Sequence, residues 1–190
     1  MLNLTSSPDP HWQDQQTMLP LRLAQVRSWL LDEGSLTSSL IAASNGDFEV
    51  CRLQQSWRIP MPSERRALNM ATRQLALVRE VTLLCHQQPW VFARSVIPAA
   101  TLDGPLRHLR RLNQQSLGAL IFRHPKLGRS PFQLALLAGN HTYIPAQLQQ
   151  RESAWARRSC FRLHNKSLLV SEVFLQPFCR WQQQSLQQSG

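Results

Sequence analysis

Residues 73–97 have the sequence RQLALVREVTLLCHQQPWVFARSVI, and this stretch decides the predicted fold. Two long runs rich in β-branched and aromatic residues flank the polar tripeptide HQQ, which predicts two antiparallel strands joined by a tight turn. A second pair of runs, 159–163 and 167–175, flanks the tripeptide HNK and predicts another hairpin. A further strand is expected over 47–57.

Helices are expected between these hairpins. Apolar residues recur at helical spacing over 21–31, and a second short helix is expected to begin at Ser35 or Thr37. Two more helical segments are predicted, over 104–112 and 116–122, whereas 132–138 is compatible with a strand or a helix. Hairpins interleaved with helices, without regular alternation, predict an α+β fold with one antiparallel sheet and helices on one face.

The composition predicts one globular domain over 1–190. The chain has 190 residues, of which 43% are hydrophobic and 17% are charged. Its ends, 1–17 and 181–190, are polar and are expected to be frayed. No apolar stretch approaches the roughly 20 residues of a spanning helix, so no integral membrane segment is expected. The start lacks a secretory pattern and the four cysteines lie far apart, which predicts a cytoplasmic protein.

The charge is strongly asymmetric. The formal net charge is +10, and residues 105–190 contain twelve basic residues but only two acids, Glu152 and Glu172. Such a surface attracts anions, either nucleic-acid phosphates or small carboxylates. Five arginines are expected merely to solvate the surface: Arg107, Arg110, Arg111, Arg157 and Arg158. The segment LRHLRRLNQQSLGALIF mixes basic and apolar residues but has its glycine too late for a helix-turn-helix, so a small-anion site is favoured over nucleic-acid binding.

Three charged side chains are expected on apolar strand faces, because side chains alternate across a strand. Arg79 shares its face with Leu75, Leu77, Val81 and Leu83; Glu172 shares its face with Leu168, Val170 and Phe174; Arg94 lies with Trp90, Phe92 and Val96. A buried charge must be paired or must face a cavity that holds a charged ligand. The pattern leaves both alternatives open, a structural Arg–Glu bridge and a ligand site.

Other common site motifs are absent from the sequence. No two histidines are four residues apart as a helical metal pair would be, so no metal site is expected. There is no GxxxxGK[ST], no GxGxxG and no nucleophile elbow, which argues against nucleotide binding and serine hydrolysis.

Three segments, in order, resemble the chorismate lyase family: LVREVTLLCHQQPWVFARSVIPAATLDGP, SLGALIF and SLLVSEVFL. The resemblance implies a six-stranded antiparallel sheet with helices that form flaps over a buried ligand. It also implies the removal of pyruvate from chorismate to leave 4-hydroxybenzoate, a step toward ubiquinone, without a metal or cofactor.

The resemblance also implies roles for individual residues. Arg79 matches the arginine that binds a ligand carboxylate, and Arg94 is expected to be a second anion contact. Leu117 matches the leucine that offers a backbone contact, and Leu36 stands where the family has a methionine near the first flap. Glu172 matches the glutamate that faces the ring hydroxyl, either as general base or as an orienting group.

Two other function classes remain as alternatives. One is a ligand-sensing domain, because some transcription regulators have effector domains of similar fold; the short polar lead before residue 21 is expected to leave no room for a DNA-binding domain. The other is a basic nucleic-acid binder. The favoured prediction is a monomeric enzyme whose partners are chorismate and 4-hydroxybenzoate, with no nucleic acid.

Overall fold

A single antiparallel sheet forms the centre of the computed structural model, which describes residues 9–18 and 26–188. Its strands are β1 (Gln13–Asp14), β2 (Phe48–Arg58), β3 (Ala76–Cys85), β4 (Gln88–Pro98), β5 (Gly128–Arg129), β6 (Gln133–Leu137), β7 (Ala154–Leu163) and β8 (Lys166–Phe174). They are ordered β1-β6-β7-β8-β4-β3-β2, and β5 also pairs with β7. The predicted α+β class is confirmed. Six of these strands have five or more residues, and the two-residue strands β1 and β5 raise the count above the expected six.

Both predicted hairpins are present, and each has a two-residue turn. His86 and Gln87 join β3 to β4 with φ of 51° and 59°, and His164 and Asn165 join β7 to β8 with φ of 47° and 61°. Two successive residues with positive φ give the backbone twist that matches two antiparallel strands. The register of β3 with β4 shifts beside Leu83 and Leu84, close to the turn.

Five α-helices occur in the described residues: α1 (Arg27–Leu30), α2 (Leu36–Ala43), α3 (Pro62–Ala67), α4 (Leu117–Ile121) and α5 (Gln176–Gln188). The side chain of Ser35 accepts the N–H of Ser38 at the start of α2, and that of Ser116 accepts the N–H of Ala119 at the start of α4. These caps satisfy N–H groups that the helix itself leaves free, which confirms both predicted starts. Of the helix predicted over 21–31, residues 21–25 lie outside the described residues and the rest contains α1.

The segment predicted as a basic helix over 104–112 is a 3₁₀ helix, Gly104–Arg111, rather than an α-helix. Leu106, Leu109 and Leu112 are all buried. They recur every third residue, and a 3₁₀ helix has three residues per turn, so this winding puts all three on one side. The basic residues between them remain in water.

The prediction that 181–190 is frayed is wrong for the residues that the structure describes. Helix α5 continues to Gln188, and the ring of Trp181 lies 4.5 Å from that of Trp90. Phe178, one turn earlier, packs on the same cluster. These two aromatic residues, three apart in sequence, pack the otherwise polar helix against the sheet. At the other end, residues 1–8 lie outside the described residues, whereas β1 pairs with β6.

The sheet is covered on both faces, not on one as predicted. On the face that we call the front, Leu77, Val81 and Ala93 pack under α2, α4, α5 and the 3₁₀ helices. On the back face, Val78 and Phe92 are covered by α3 and by the connection between β6 and β7. Because both faces of β3 and β4 are buried, any charged residue in these strands lies in the interior.

Candidate functional site

Arg79 is a buried cation on the front face of β3. Its side chain is 1% exposed, and Nη2 donates to the backbone oxygens of Asn113 and Gln115 at 3.0 and 2.9 Å. Its Nε has no hydrogen-bond partner among the described residues, and no acidic side chain of that part of the chain forms an ion pair with it. Burial, helped by the charge of Arg52, lowers the pKa of Arg79 to about 10, so it stays protonated at neutral pH.

This arrangement favours an anion site at Arg79. A buried charge without a counterion costs several kcal/mol, whereas a bound carboxylate would supply both the opposite charge and a partner for Nε. The two carbonyl groups that hold the guanidinium belong to the loop between the 3₁₀ helix and α4. They position the arginine without neutralising it.

Glu172 lies on the same face, on β8, and is paired with Arg157. These residues face each other across β7 and β8, and Nε of Arg157 donates to Oε2 of Glu172 at 2.5 Å. Nη1 of Arg157 donates to the backbone oxygens of Trp29 and Asp32 at 2.6 and 2.9 Å. A direct bridge between Glu172 and Arg79 is not formed. The partner of Glu172 is instead Arg157, which the sequence predicted to be a surface residue.

The strand register fixes the separation of Arg79 and Glu172. Arg79 is opposite Ser95 on β4, Ser95 is opposite Val170 on β8, and Glu172 lies two residues further along β8. Two strand spacings and two residue steps put the two Cα atoms about 12 Å apart. The side chains between them, those of Ser95, Val170 and Ala93, are small. Two long charged side chains therefore stand at either end of a part of the sheet with shorter side chains, which we call the low floor.

Leu36 and Leu117 are the first residues of the two short helices above this floor. Both are buried, Leu36 in the cluster that contains Ala93 and Leu117 in the cluster that contains Leu77. The helix starts meet where Oγ1 of Thr37 lies 2.6 Å from Oγ of Ser116. Thus the structure brings Leu36, Leu117, Arg79 and Glu172 to one face of the sheet.

A third arginine near this site is Arg129 on β5, which pairs with the front-face Phe161. Its Nε donates to Oγ of Ser159 at 2.8 Å and its Nη1 to the backbone oxygen of Glu33 at 3.0 Å. The guanidinium lies 3.9 Å from the ring centroid of Phe132 and 4.9 Å from that of Phe161. Burial, and then the charge of Arg157, lowers the pKa of Arg129 to about 10. Arg129 is half-buried, and its stacking on the two aromatic rings holds the guanidinium in place.

Arg157 and Arg158 were expected to solvate the surface, and for both that prediction is wrong. Arg157 is 1% exposed on the front face. Arg158 is buried on the back face, where Nε donates to Gln133 and Nη1 to Ser63, both at 2.9 Å. The signal was available: once β7 is known to begin at Ala154, alternation places Arg157 with the apolar Phe161. The predicted strand began five residues too late to show it.

Arg94 is not brought together with Arg79 and Glu172. It lies on the back face, where Nε and Nη2 donate to the carboxylate of Glu64 at 2.7 and 3.1 Å and Nη1 bonds to Glu80. Although burial opposes it, the hydrogen bonds and charge of Glu64 raise the pKa of Arg94. Arg94 thus forms a structural Arg–Glu bridge. In the β3–β4 register Arg79 lies opposite Ser95 and Arg94 lies opposite Glu80, so the two arginines are on opposite faces of the sheet. Its guanidinium is saturated by carboxylates.

The described residues contain neither a candidate metal centre nor a membrane-spanning helix. Across residues 9–18 and 26–188, no three His, Cys, Asp or Glu side chains are grouped so that they could hold a metal ion. The helices in those ranges are too short or too polar to cross a bilayer.

Comparisons with known proteins agree on one family. The family model described as chorismate lyase matches residues 8–185. A probable chorismate pyruvate-lyase of Pseudomonas fluorescens is 37% identical over 174 residues, which cover 91% of this chain and 91% of that protein. One of Methylococcus capsulatus is 39% identical over 153 residues, which cover 79% of this chain and 94% of the relative.

Solved structures also show this fold, and one of them superposes well enough to be compared. The effector domain of PhnF from Mycobacterium smegmatis superposes with a TM-score of 0.55, covering 77% of this chain and 91% of that chain. Its sequence identity is 14%, which shows a common fold and nothing further.

Proposed function

The chain belongs to the chorismate lyase family, and we propose that it eliminates pyruvate from chorismate to leave 4-hydroxybenzoate. The observation that carries this proposal is the buried guanidinium of Arg79, which has no acidic partner among the described residues and lies on the same face as Glu172. A cation at one end of a low floor and a carboxylate at the other suit a ring with a carboxylate and a hydroxyl group at opposite positions.

The charges of the front face also suit the substrate. Chorismate has two carboxylates and therefore a charge of −2. This charge is balanced by the formal charge of +2 that Arg79, Arg129, Arg157 and Glu172 carry together. Anions that are removed from water need fixed cations or N–H donors. We assign the ring carboxylate to Arg79. Arg129 supplies the positive charge for the enolpyruvyl carboxylate, in place of Arg94, whose guanidinium is already occupied by Glu64 and Glu80.

The reaction requires little beyond positioning and charge stabilisation. The bond between ring C3 and the ether oxygen breaks, the proton at C4 leaves, and the new C3–C4 double bond makes the ring aromatic. The electron pair of the broken bond goes to the enolpyruvate oxygen, and protonation of its methylene group gives pyruvate. Because aromatisation provides the driving force, the protein has only to hold the substrate and stabilise the departing enolate.

Glu172 has one of two roles in this step. It takes the C4 proton as general base, or the methylene of the enolpyruvyl group takes that proton in a cyclic rearrangement while Glu172 orients the ring hydroxyl. Arg157 fixes the carboxylate through Oε2, and Oε1 has no hydrogen-bond partner among the described residues. Both roles use this second oxygen.

Leu36 and Leu117 act through the backbone at the first turns of α2 and α4. The two helices close the front face from above, so a substrate has to displace them on entry and a product on exit. Such an enclosure excludes water from the reacting groups, and its opening can limit turnover.

We further propose a cytoplasmic monomer that needs no metal or cofactor. Arg79, Arg129 and Arg157 provide the charge stabilisation that a metal would otherwise give. The four free cysteines suit a reducing compartment. The buried positions of Arg79 and Arg157 favour a small anion over nucleic acid as the ligand.

The deciding experiment is an assay of the purified full-length chain with chorismate in the presence of a chelator. We expect 4-hydroxybenzoate, measured by chromatography, and an equal amount of pyruvate, measured by reduction with NADH and lactate dehydrogenase. Arg79→Met is the matched control. If folded wild-type protein forms no product above the spontaneous rate yet binds 4-hydroxybenzoate, the chain is a ligand-sensing domain. Only the fold, shared with the PhnF effector domain, supports that alternative.

A further inference from the structure

Three large apolar side chains are exposed side by side at one end of the sheet. Trp57 is 46% exposed, Ile59 50% and Leu75 48%. Trp57 pairs with Leu77 and Arg58 with Ala76, so Ile59 and Leu75 are the next residues of the two adjacent chains. We call these three residues the apolar patch. Single exposed apolar residues are ordinary, whereas a contiguous group indicates a contact surface.

A basic cleft adjoins this patch. Arg107, Arg110 and Arg111 are exposed on the 3₁₀ helix, whose leucines face the core. The three arginines line a surface cavity of about 600 Å³ with His108 and Gln115. We call this cavity the basic cleft. The three-residue period that buries the leucines is also what places the arginines together on the solvent side.

Arg110 joins the patch to the cleft. Its guanidinium carbon lies 5.9 Å from the centroid of the Trp57 ring, and its backbone oxygen accepts a hydrogen bond from Nε2 of Gln55 at 3.0 Å. The acidic group beside it is Asp103, whose Oδ1 is 3.6 Å from Nη2 of Arg110. Both members of this ion pair are exposed, so it neutralises the cleft only weakly.

We propose that the apolar patch and the basic cleft form a docking surface for a membrane with anionic lipids. Tryptophan and aliphatic side chains enter the boundary between headgroups and acyl chains, while arginines contact headgroup phosphates. The apolar patch and the basic cleft lie beside each other, so a single bilayer surface can contact both. This proposal is independent of the chorismate lyase activity.

The chemistry of the surface disfavours two other occupants. A second copy of the chain would bring two sets of Arg107, Arg110 and Arg111 together, with Asp103 as the acid close by. Nucleic acid would use the arginines and stack on Trp57, but the aliphatic Ile59 and Leu75 offer no stacking surface. An anionic bilayer uses all of these side chains.

The test is co-sedimentation of the full-length chain with vesicles. We expect binding to vesicles of phosphatidylcholine mixed with phosphatidylglycerol, weaker binding at high salt, and little binding to phosphatidylcholine alone. Removing two charges in R107Q/R111Q should weaken binding by about 25-fold, at about fivefold per arginine near an anionic surface. R151Q/R180Q removes the same charge from exposed positions outside the cleft and should bind as the wild type does.

The apolar patch has its own variant and control. W57S/I59S/L75S should lose vesicle binding while it keeps its circular dichroism spectrum and its turnover, since none of these residues is in the proposed active site. Leu136→Ser changes another exposed apolar residue and should have no effect on vesicle binding.

Absence of binding to anionic vesicles at low salt overturns the proposal, as does a loss of binding in R151Q/R180Q equal to that in R107Q/R111Q. Concentration-dependent dimers abolished by W57S/I59S/L75S would assign the surface to a second copy, and competition by single-stranded DNA would assign it to nucleic acid.

Discussion

Arg157 and Glu172 form an ion pair across β7 and β8, and the same guanidinium holds the backbone that leads into α2. Nε of Arg157 is 2.5 Å from Oε2 of Glu172, and Nη1 is within 3.0 Å of the backbone oxygens of Trp29 and Asp32. One side chain thus connects the proposed catalytic carboxylate to the segment before α2. Arg157 is therefore a positioning residue for both.

Replacement by methionine should affect turnover at Arg79 and folding stability at Arg94. Arg79→Met removes a cation without an acidic partner among the described residues, so the free energy of unfolding should change by no more than about 1 kcal/mol. Turnover should fall by about 10²–10³-fold, and added 4-hydroxybenzoate should no longer raise the melting temperature. Arg94→Met leaves Glu64 and Glu80 unpaired and should cost about 3–5 kcal/mol. Chemical denaturation with a turnover assay measures both; a normally active Arg79→Met enzyme would refute the assignment of Arg79.

Glu172→Gln distinguishes the two roles of Glu172. The amide still bonds to the ring hydroxyl but cannot accept a proton at neutral pH. If Glu172 is the general base, kcat should fall by about 10²-fold or more, whereas an orienting group should cost much less. Single-turnover kinetics isolate the chemical step from product release. Unchanged binding of 4-hydroxybenzoate serves as the control for an intact site.

The Arg157–Glu172 pair can be tested by a double-mutant cycle. Glu172→Leu alone leaves Arg157 buried without its counterion and should destabilise the protein by about 3–5 kcal/mol. Arg157→Met combined with Glu172→Leu should recover most of that stability, because no orphan charge remains. Urea denaturation of the wild type, both single variants and the double variant gives the coupling. Additive effects would show that the two groups are not paired in solution.

Gly118→Ala tests whether α2 and α4 act as flaps. A Cβ at Gly118 would lie 3.3 Å from Oγ1 of Thr37, tighter than an ordinary contact, and would push the two helix starts apart. We expect weaker binding of 4-hydroxybenzoate and, where opening limits turnover, a higher kcat. Gly128→Ala is the matched control, since its Cβ would meet its nearest neighbour at 3.5 Å. A lower kcat with unchanged product affinity would contradict the flap role.

Local patterns in the sequence determined most of the strands and the short helices. Alternation and the turn residues located the two hairpins, and the serines before α2 and α4 marked their starts. The same alternation singled out Arg79 and Glu172 as charges on apolar faces, and the resemblance added Leu36 and Leu117. These signals act within a few residues, so they can be recognised without knowing which strands are neighbours.

Only the tertiary structure decided which partner each charge has. Arg79 and Arg94 both lie in buried strands, yet Arg94 meets Glu64 from α3 whereas Arg79 meets two carbonyl groups. The hairpin register places them on opposite faces but does not determine their partners, because Glu64 is brought to Arg94 by the packing of α3 on the back face. Arg157, which meets Glu172 across the sheet, and Trp181, which meets Trp90, are settled in the same way. Contacts between residues distant in sequence depend on how whole elements pack, and this packing gave Arg94 two carboxylate partners and left Arg79 without an acidic partner among the described residues.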